Sequence, residues 1–178
     1  DWFRGWFGLP PGSGGLLTSG GSTATITAVV AARHAAVAED PSRLARLTLY
    51  TSEQTHSSVI RAAWIAGVPR AQVRVLPADR YWRLDPGVLA AAVRRDRDEG
   101  FLPFLVAASA GTTNTGAVDP FPAIAQVCRA ERLWLHVDAA YGGFAVLTDR
   151  GKAALRGIEQ ADSITVDPHK WLYQPIEL

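Results

Sequence analysis

The stretch Ser163-Ile164-Thr165-Val166-Asp167-Pro168-His169-Lys170-Trp171 decides how the rest of the chain is read. Its opening residues, rich in β-branched side chains, predict a short buried strand over 163–166. Asp167-Pro168 ends it, because proline has no N–H for a ladder and disfavours helix in the residue before it. Lys170 is thereby placed on a tight turn at a strand end, between His169 and Trp171. An amine held against an aromatic wall is partly desolvated, which favours its neutral, nucleophilic form. A solvated loop lysine has the same local sequence, so the reading depends on what other segments bring beside it.

Upstream, the same strand-then-polar-residue pattern recurs. Leu133-Trp134-Leu135-His136-Val137 predicts a strand running to Asp138, followed by Ala139-Ala140-Tyr141-Gly142-Gly143. The apolar run Phe104 to Ala108 predicts a strand covered on both faces, and it empties into Gly111-Thr112-Thr113-Asn114-Thr115-Gly116. Val73 to Leu76 alternates like a strand, and Leu47 to Tyr50 predicts another before the polar loop Thr51 to Thr55. Helices are predicted from His56-Ser57-Ser58 to Ala66, from Asp85-Pro86 to Gly100, and from Asp119-Pro120 through Glu131. A longer helix, Thr23 to Ala38, follows Ser19-Gly20-Gly21-Ser22, with Ser22 as its expected N-cap. Glycines before a helix start let backbone N–H groups converge where the helix dipole is positive, which makes a phosphate cradle.

Alternating strands and helices predict an α/β fold with a mostly parallel sheet. His56, Thr112, Asp138 and Lys170 all come immediately after strands. In open α/β sheets the carboxyl ends of the strands share one edge, and ligands bind there. Residues more than a hundred positions apart in the chain are therefore expected in one pocket.

Composition narrows the function. The chain has 178 residues, 48% hydrophobic and 20% charged, which suits one soluble globular domain. A net charge of +1 gives no basis for nucleic-acid or charged-membrane binding. No apolar run is long enough for a membrane span, so cytoplasm is the expected location. The single cysteine, Cys128, lies in a helical pattern and is expected to be a buried structural thiol. At the start, Trp2, Phe3, Trp6 and Phe7 form an aromatic cluster expected to pack on something outside this chain. The absence of methionine and the stop just after the lysine motif point to a piece of a longer protein.

Gly20, Gly21 and Ser22, with Asp138, His56 and Lys170, together match the needs of pyridoxal 5′-phosphate. Its phosphate suits a helix N-terminus and its aldehyde a lysine. Its ring nitrogen suits a carboxylate, and its flat face a stacking partner. P-loop and G-x-S-x-G patterns are absent, and Gly12-Ser13-Gly14 lacks the third glycine of a dinucleotide fingerprint. His136 and Asp138 share a strand face, so a metal pair is conceivable; with His34 on a helix and no H-E-x-x-H, it is the weaker reading.

The chain resembles the group II pyridoxal-phosphate-dependent amino-acid decarboxylases, which include aromatic-L-amino-acid, glutamate and diaminobutyrate decarboxylases. The resemblance is carried by five stretches in order: 18–22, 52–58, 111–120, 134–141 and 167–171. It implies the fold-type I large domain of aspartate aminotransferase, here incomplete, and a cytoplasmic homodimer acting on an amino acid. By motif position, Lys170 would carry the cofactor, Asp138 would pair with the ring nitrogen, and His56 would stack on the ring and help place the substrate carboxylate. Gly21 and Ser22 would hold the phosphate with His169 and Asp167, and Thr112 would line the ring. The chain departs from the family at Asp167, where many relatives have asparagine; a carboxylate there is expected to cap backbone N–H groups. An N-terminal segment, a mobile loop with a tyrosine and a small C-terminal domain are expected outside residues 1–178. The resemblance implies decarboxylation, with an aromatic amino acid as the leading substrate. The alternatives are aldehyde synthesis or transamination on the same core, or a cofactor-binding remnant or partner subunit without activity.

Overall fold

Each of the five predicted strands forms: β1 (Leu47–Ser52), β2 (Val73–Leu76), β3 (Leu102–Ser109), β4 (Trp134–Ala139) and β5 (Ser163–Val166). The structure is a computed structural model that describes residues 2–38 and 40–175. The strands make one sheet in the order β2-β1-β3-β4-β5, with every neighbouring pair parallel. Seven α-helices accompany them among the described residues: α1 (Trp2–Phe7), α2 (Gly21–Val37), α3 (Ser58–Ile65), α4 (Pro86–Asp98), α5 (Phe121–Glu131), α6 (Asp149–Ala154) and α7 (Pro168–Trp171).

The sheet is covered on both faces, as its continuous apolar runs require. On one face Tyr50, Val106, Ala108, Leu135 and Val137 meet Leu89 and Val93 of α4 and Phe121, Ile124 and Cys128 of α5. On the other, Leu47, Leu49, Leu105 and Ala107 meet Val29 and Ala32 of α2 and Val59, Ala62 and Ala63 of α3. Full burial of each Val, Leu or Ile side chain contributes about 1.5–3 kcal/mol relative to exposure. The two-residue period of a strand then assigns the polar positions. If Leu135 and Val137 face α5, then His136 and Asp138 face α2, as do Ser109 on β3 and Ser163 and Thr165 on β5. The polar residues of the central strands thus gather under α2.

Topology places an opening there. From β1 the chain moves outward to β2, then returns across β1 to β3, so the strand order reverses between β1 and β3. Crevices at such reversals, outside the carboxyl ends of strands, are where open α/β sheets hold ligands.

Several local expectations are corrected. Helix α2 begins at Gly21, and Gly20, not Ser22, is its N-cap, at φ 90° and ψ 161°. That backbone conformation is one glycine adopts without a Cβ penalty, so the cap is made by backbone geometry and Ser22 falls inside the first turn. The aromatic cluster packs within the chain: Phe3, Trp6 and Phe7 surround Phe144 at ring-centroid distances of 5.6, 6.3 and 6.3 Å. Only Trp2 of that group is left largely in solvent, 78% exposed. Helix α3 starts at Ser58, two residues after His56. Asp119 caps no helix; its carboxylate accepts from Leu84 N and Ser109 N, both at 2.7 Å. Cys128 is buried as expected, and burial pushes its thiol up to about 12.

Candidate cofactor site

At the carboxyl edge of the sheet lies a cavity of about 210 Å³. It is lined by Gly21 and Ser22 of α2, His56 after β1, Thr112 after β3, Asp138 of β4, and Asp167 and Lys170 after β5. Seven of the residues singled out in the sequence therefore meet in one space. Gly20 stands just outside it as the α2 cap, and His169 stands behind Asp167, its Nδ1 2.6 Å from Asp167 Oδ1.

One end of the cavity is built by α2. Its first turn presents backbone N–H groups that have no partner within the helix, and the dipole of a 17-residue helix adds positive potential there. Asp167 lies beside this turn, its Oδ2 3.8 Å from where a Cβ on Gly21 would stand. Asp167 caps no N–H group of α7; its carboxylate lies against the His169 ring instead, Oδ1 2.6 Å from Nδ1. The capping role expected for it is thus replaced by a carboxylate–imidazole pair.

On the opposite wall, two loops run backbone against backbone. Gly142 N donates to Ala110 O at 2.9 Å, and a Cβ on Gly142 would sit 2.4 Å from that oxygen. Only glycine permits this approach, which brings the loops after β3 and β4 together and holds Asp138 at the cavity. Asp138 Oδ1 accepts from Ala140 N at 3.1 Å, while its other oxygen has no hydrogen bond among the described residues. Behind it, His136 is fully enclosed, with Nδ1 2.9 Å from Ser163 Oγ, which also accepts from Trp134 Nε1 at 2.8 Å. Burial pushes the His136 pKa down, against the opposing pull of the Asp138 carboxylate.

The His56 ring is oriented by its own chain. Ser58 N donates to His56 Nδ1 at 3.3 Å, and Ser58 Oγ lies 2.9 Å from the same nitrogen. A nitrogen that accepts a backbone N–H carries no hydrogen, so Nε2 carries the ring proton. Thr112 is buried, with its hydroxyl 2.6 Å from Thr115 Oγ1 and accepting from Ala117 N at 3.2 Å. Its side chain shapes the loop, while the adjacent Thr113 is exposed and also lines the cavity. Lys170 sits on the one-turn α7, exposed rather than sheltered by Trp171. Trp171 turns instead to Tyr141, ring centroids 5.9 Å apart at 84°, and this aromatic pair stands beside the mouth.

Ser58, Ser109, Thr113 and Tyr141 also line the cavity, beyond the residues that stand out in the sequence. Their signal was available for three of them, since Ser109, Thr113 and Tyr141 come at or just after strand ends. Ser58 is identified only by its contact with His56.

A helix N-terminus with open N–H groups, a lysine, and a carboxylate with an open oxygen stand around this space, groups of the kind a phosphorylated aldehyde cofactor takes. The whole chain, residues 1–178, matches the family model of the pyridoxal-dependent decarboxylase conserved domain, and the chain belongs to that family. It is 42% identical over its full length to an aromatic-L-amino-acid decarboxylase of Bacillus atrophaeus, of which it covers 36%. Among solved structures, it is similar to an Oryza sativa TDC with PLP and tryptamine, at a TM-score of 0.93 and 36% identity, covering 99% of this chain and 39% of that one. It is also similar to a Rhodiola rosea 4-hydroxyphenylacetaldehyde synthase, at a TM-score of 0.92 and 34% identity, covering 97% of this chain and 39% of that one. The chain thus spans little more than a third of the proteins it matches.

Proposed function

We propose that the full-length protein is a pyridoxal-phosphate-dependent decarboxylase that converts an L-amino acid to its amine and carbon dioxide. The observation that carries this reading is the meeting of Lys170, Asp138, His56 and the α2 N-terminus around one cavity. Bound there, pyridoxal phosphate supplies an electron sink that stabilises negative charge at the substrate Cα. Gly21 and Ser22 offer N–H and hydroxyl donors to the phosphate. Lys170 would be the residue that holds the cofactor, its amine joining the aldehyde carbon as the aldehyde oxygen leaves as water. The open oxygen of Asp138 holds a proton on the ring nitrogen, with the other oxygen anchored by Ala140 N. His56, its Nδ1 engaged by Ser58, presents a fixed ring face for stacking and a proton on Nε2. Borohydride reduction of the cofactor-loaded protein followed by peptide mapping tests the assignment: the label is expected on Lys170, and a label on Lys152, the other lysine of this chain, overturns it.

An aromatic amino acid is the favoured substrate. Among the described residues no arginine lines the cavity, whereas Tyr141 does and carries the Trp171 ring against its own. A carboxylate side chain buried without a counter-charge costs several kcal/mol. The aromatic-L-amino-acid decarboxylase and the tryptamine-bound TDC among the relatives fit the same reading. Carbon dioxide release from a panel of amino acids checks it, and preference for glutamate or diaminobutyrate over every aromatic substrate overturns it. The likeness to an aldehyde synthase supports a second reading, in which the same core yields an aldehyde; product analysis for amine against aldehyde separates the two.

A homodimer is the proposed assembly. Leu17 and Trp64 are 77% and 72% exposed, apolar surface of the kind an assembly covers. Light scattering on the full-length protein is expected to give twice the chain mass. The proposed location is the cytoplasm; none of the described helices is long and apolar enough to cross a membrane.

A further inference from the structure

Asp167 places a negative charge where an anion is to be held. The side chain lines the cavity beside the first turn of α2 and is buried, with 8% of the residue exposed. A carboxylate next to a phosphate weakens binding unless a proton or cation offsets it. His169 is positioned to supply that offset. Its Nδ1 stands 2.6 Å from Asp167 Oδ1. That contact turns Nδ1 to the carboxylate and leaves Nε2 as the ring nitrogen not engaged by Asp167. The other titratable groups facing this cavity are His56, Asp138, Tyr141 and Lys170. Among the described residues none of their side chains is bonded to the Asp167 carboxylate: His56 Nδ1 is engaged by Ser58, Asp138 by Ala140 N, the Tyr141 ring packs on Trp171, and Lys170 meets Asp167 through its backbone N–H, 3.3 Å from Asp167 O.

We propose that Asp167 and His169 form a proton-linked latch on the phosphate subsite. When the phosphate of the cofactor binds, His169 takes up one proton from solvent at Nε2, and the imidazolium offsets the Asp167 carboxylate. The step adds that proton and changes no bond between heavy atoms. This inference rests on reading the cavity as a pyridoxal-phosphate site. Its consequence is that cofactor affinity falls as pH rises, by up to about tenfold per pH unit for one linked proton. Asparagine at position 167 keeps the shape, removes the charge and loosens the linkage.

The experiment uses the full-length protein in a Lys170→Ala background, where neither covalent capture nor titration of that lysine enters. Dissociation constants for pyridoxal phosphate are read by protein-fluorescence quenching from pH 7 to 9, where the phosphate is dianionic. Calorimetry in buffers of different ionisation heat counts the protons taken up. The Lys170→Ala protein is expected to lose at least about tenfold in affinity across that range, and the protein that also carries Asp167→Asn less than about threefold. His169→Gln is expected to weaken binding at pH 7 by about tenfold when Asp167 is present, and by less than about threefold alongside Asp167→Asn. Titrations of the cofactor itself are common to all variants and cancel in the comparison. Equal losses from His169→Gln in the two backgrounds, or an unchanged pH slope in Asp167→Asn, overturn the latch and leave the cofactor reading standing. Failure of the unsubstituted protein to bind pyridoxal phosphate at any pH overturns the cofactor reading and the latch together.

Discussion

Two carboxylates, Asp96 and Asp138, show how differently this chain treats a charge that holds the fold and one that faces a cavity. Asp96, on α4, is 1% exposed and saturated with partners. Arg74 Nε reaches its two oxygens at 3.0 and 2.9 Å, Arg74 Nη2 lies 2.8 Å away, and Tyr50 OH donates at 2.5 Å. Burial pushes the Asp96 pKa up, but the Arg74 guanidinium and the Tyr50 hydroxyl outweigh it and hold the group below the ordinary carboxylate value. Burial and the Asp96 bond together raise the Tyr50 hydroxyl. The Asp138 carboxylate has one hydrogen bond among the described residues, from Ala140 N, and lines the cavity with its other oxygen open. A buried charge that is fully paired contributes to a unique fold; one left with acceptor capacity is available to a ligand.

Substitutions can break this contrast. The largest effect is expected from Asp138→Asn, which should lower turnover by at least about a thousandfold, about 4 kcal/mol in the barrier, while cofactor binding stays measurable and melting barely moves. Turnover within about threefold of the parent would remove Asp138 from the ring-nitrogen role. Asp96→Ala should do the reverse. It leaves Arg74 without its buried partner and is expected to cost about 3–5 kcal/mol of unfolding free energy in denaturant titrations, with the cofactor affinity of folded molecules unchanged.

Asp119 sharpens the comparison as an intermediate case. Burial pushes it up to about 6, against the pull of the backbone N–H groups of Leu84 and Ser109. Because its folded value lies above the unfolded one, its contribution to stability is fully present below about pH 4 and is lost as pH rises through about 6. The expected loss is about 2–3 kcal/mol across that window. Asp96 acts oppositely, since its depressed value makes stability fall as pH drops below the ordinary carboxylate range. Unfolding free energies of the parent and Asp119→Asn from pH 4 to 8 separate the two: the substitution should flatten the decline, and an unaltered slope would contradict the assignment. The smallest effect is expected for Tyr50→Phe, about 1.5 kcal/mol, because Arg74 still holds Asp96 when the hydroxyl bond is gone.

Legibility in the sequence followed the range of the forces involved. All five strands and the helices α3, α4 and α5 were readable, because burial on both sheet faces writes apolar runs and because proline, aspartate and glycine mark ends by local geometry. Asp85 caps α4 as its sequence predicts, accepting from Gly87 N and Val88 N at 2.7 and 3.1 Å. The convergence of His56, Asp138 and Lys170 was readable too, since the parallel strands bring their carboxyl ends to one edge.

What only the tertiary structure decided are contacts between side chains far apart in sequence or set by a particular backbone angle. Ser22 has the right chemistry for an N-cap, yet the φ of 90° at Gly20 moves the helix start and turns Ser22 to the cavity. The aromatic residues of α1 give no local sign that Phe144 is their partner. Asp119, at a predicted helix start, is drawn to Leu84 N and Ser109 N across the fold. The strand-end motif puts Lys170 at the sheet edge, the family resemblance adds Asp167, and both line the cavity. Only the folded chain shows that Trp171 turns to Tyr141 and that the His169 ring lies against the Asp167 carboxylate. Pattern and propensity act over one turn or one strand; the pairing of charges and rings depends on which surfaces the packed layers bring within bonding distance.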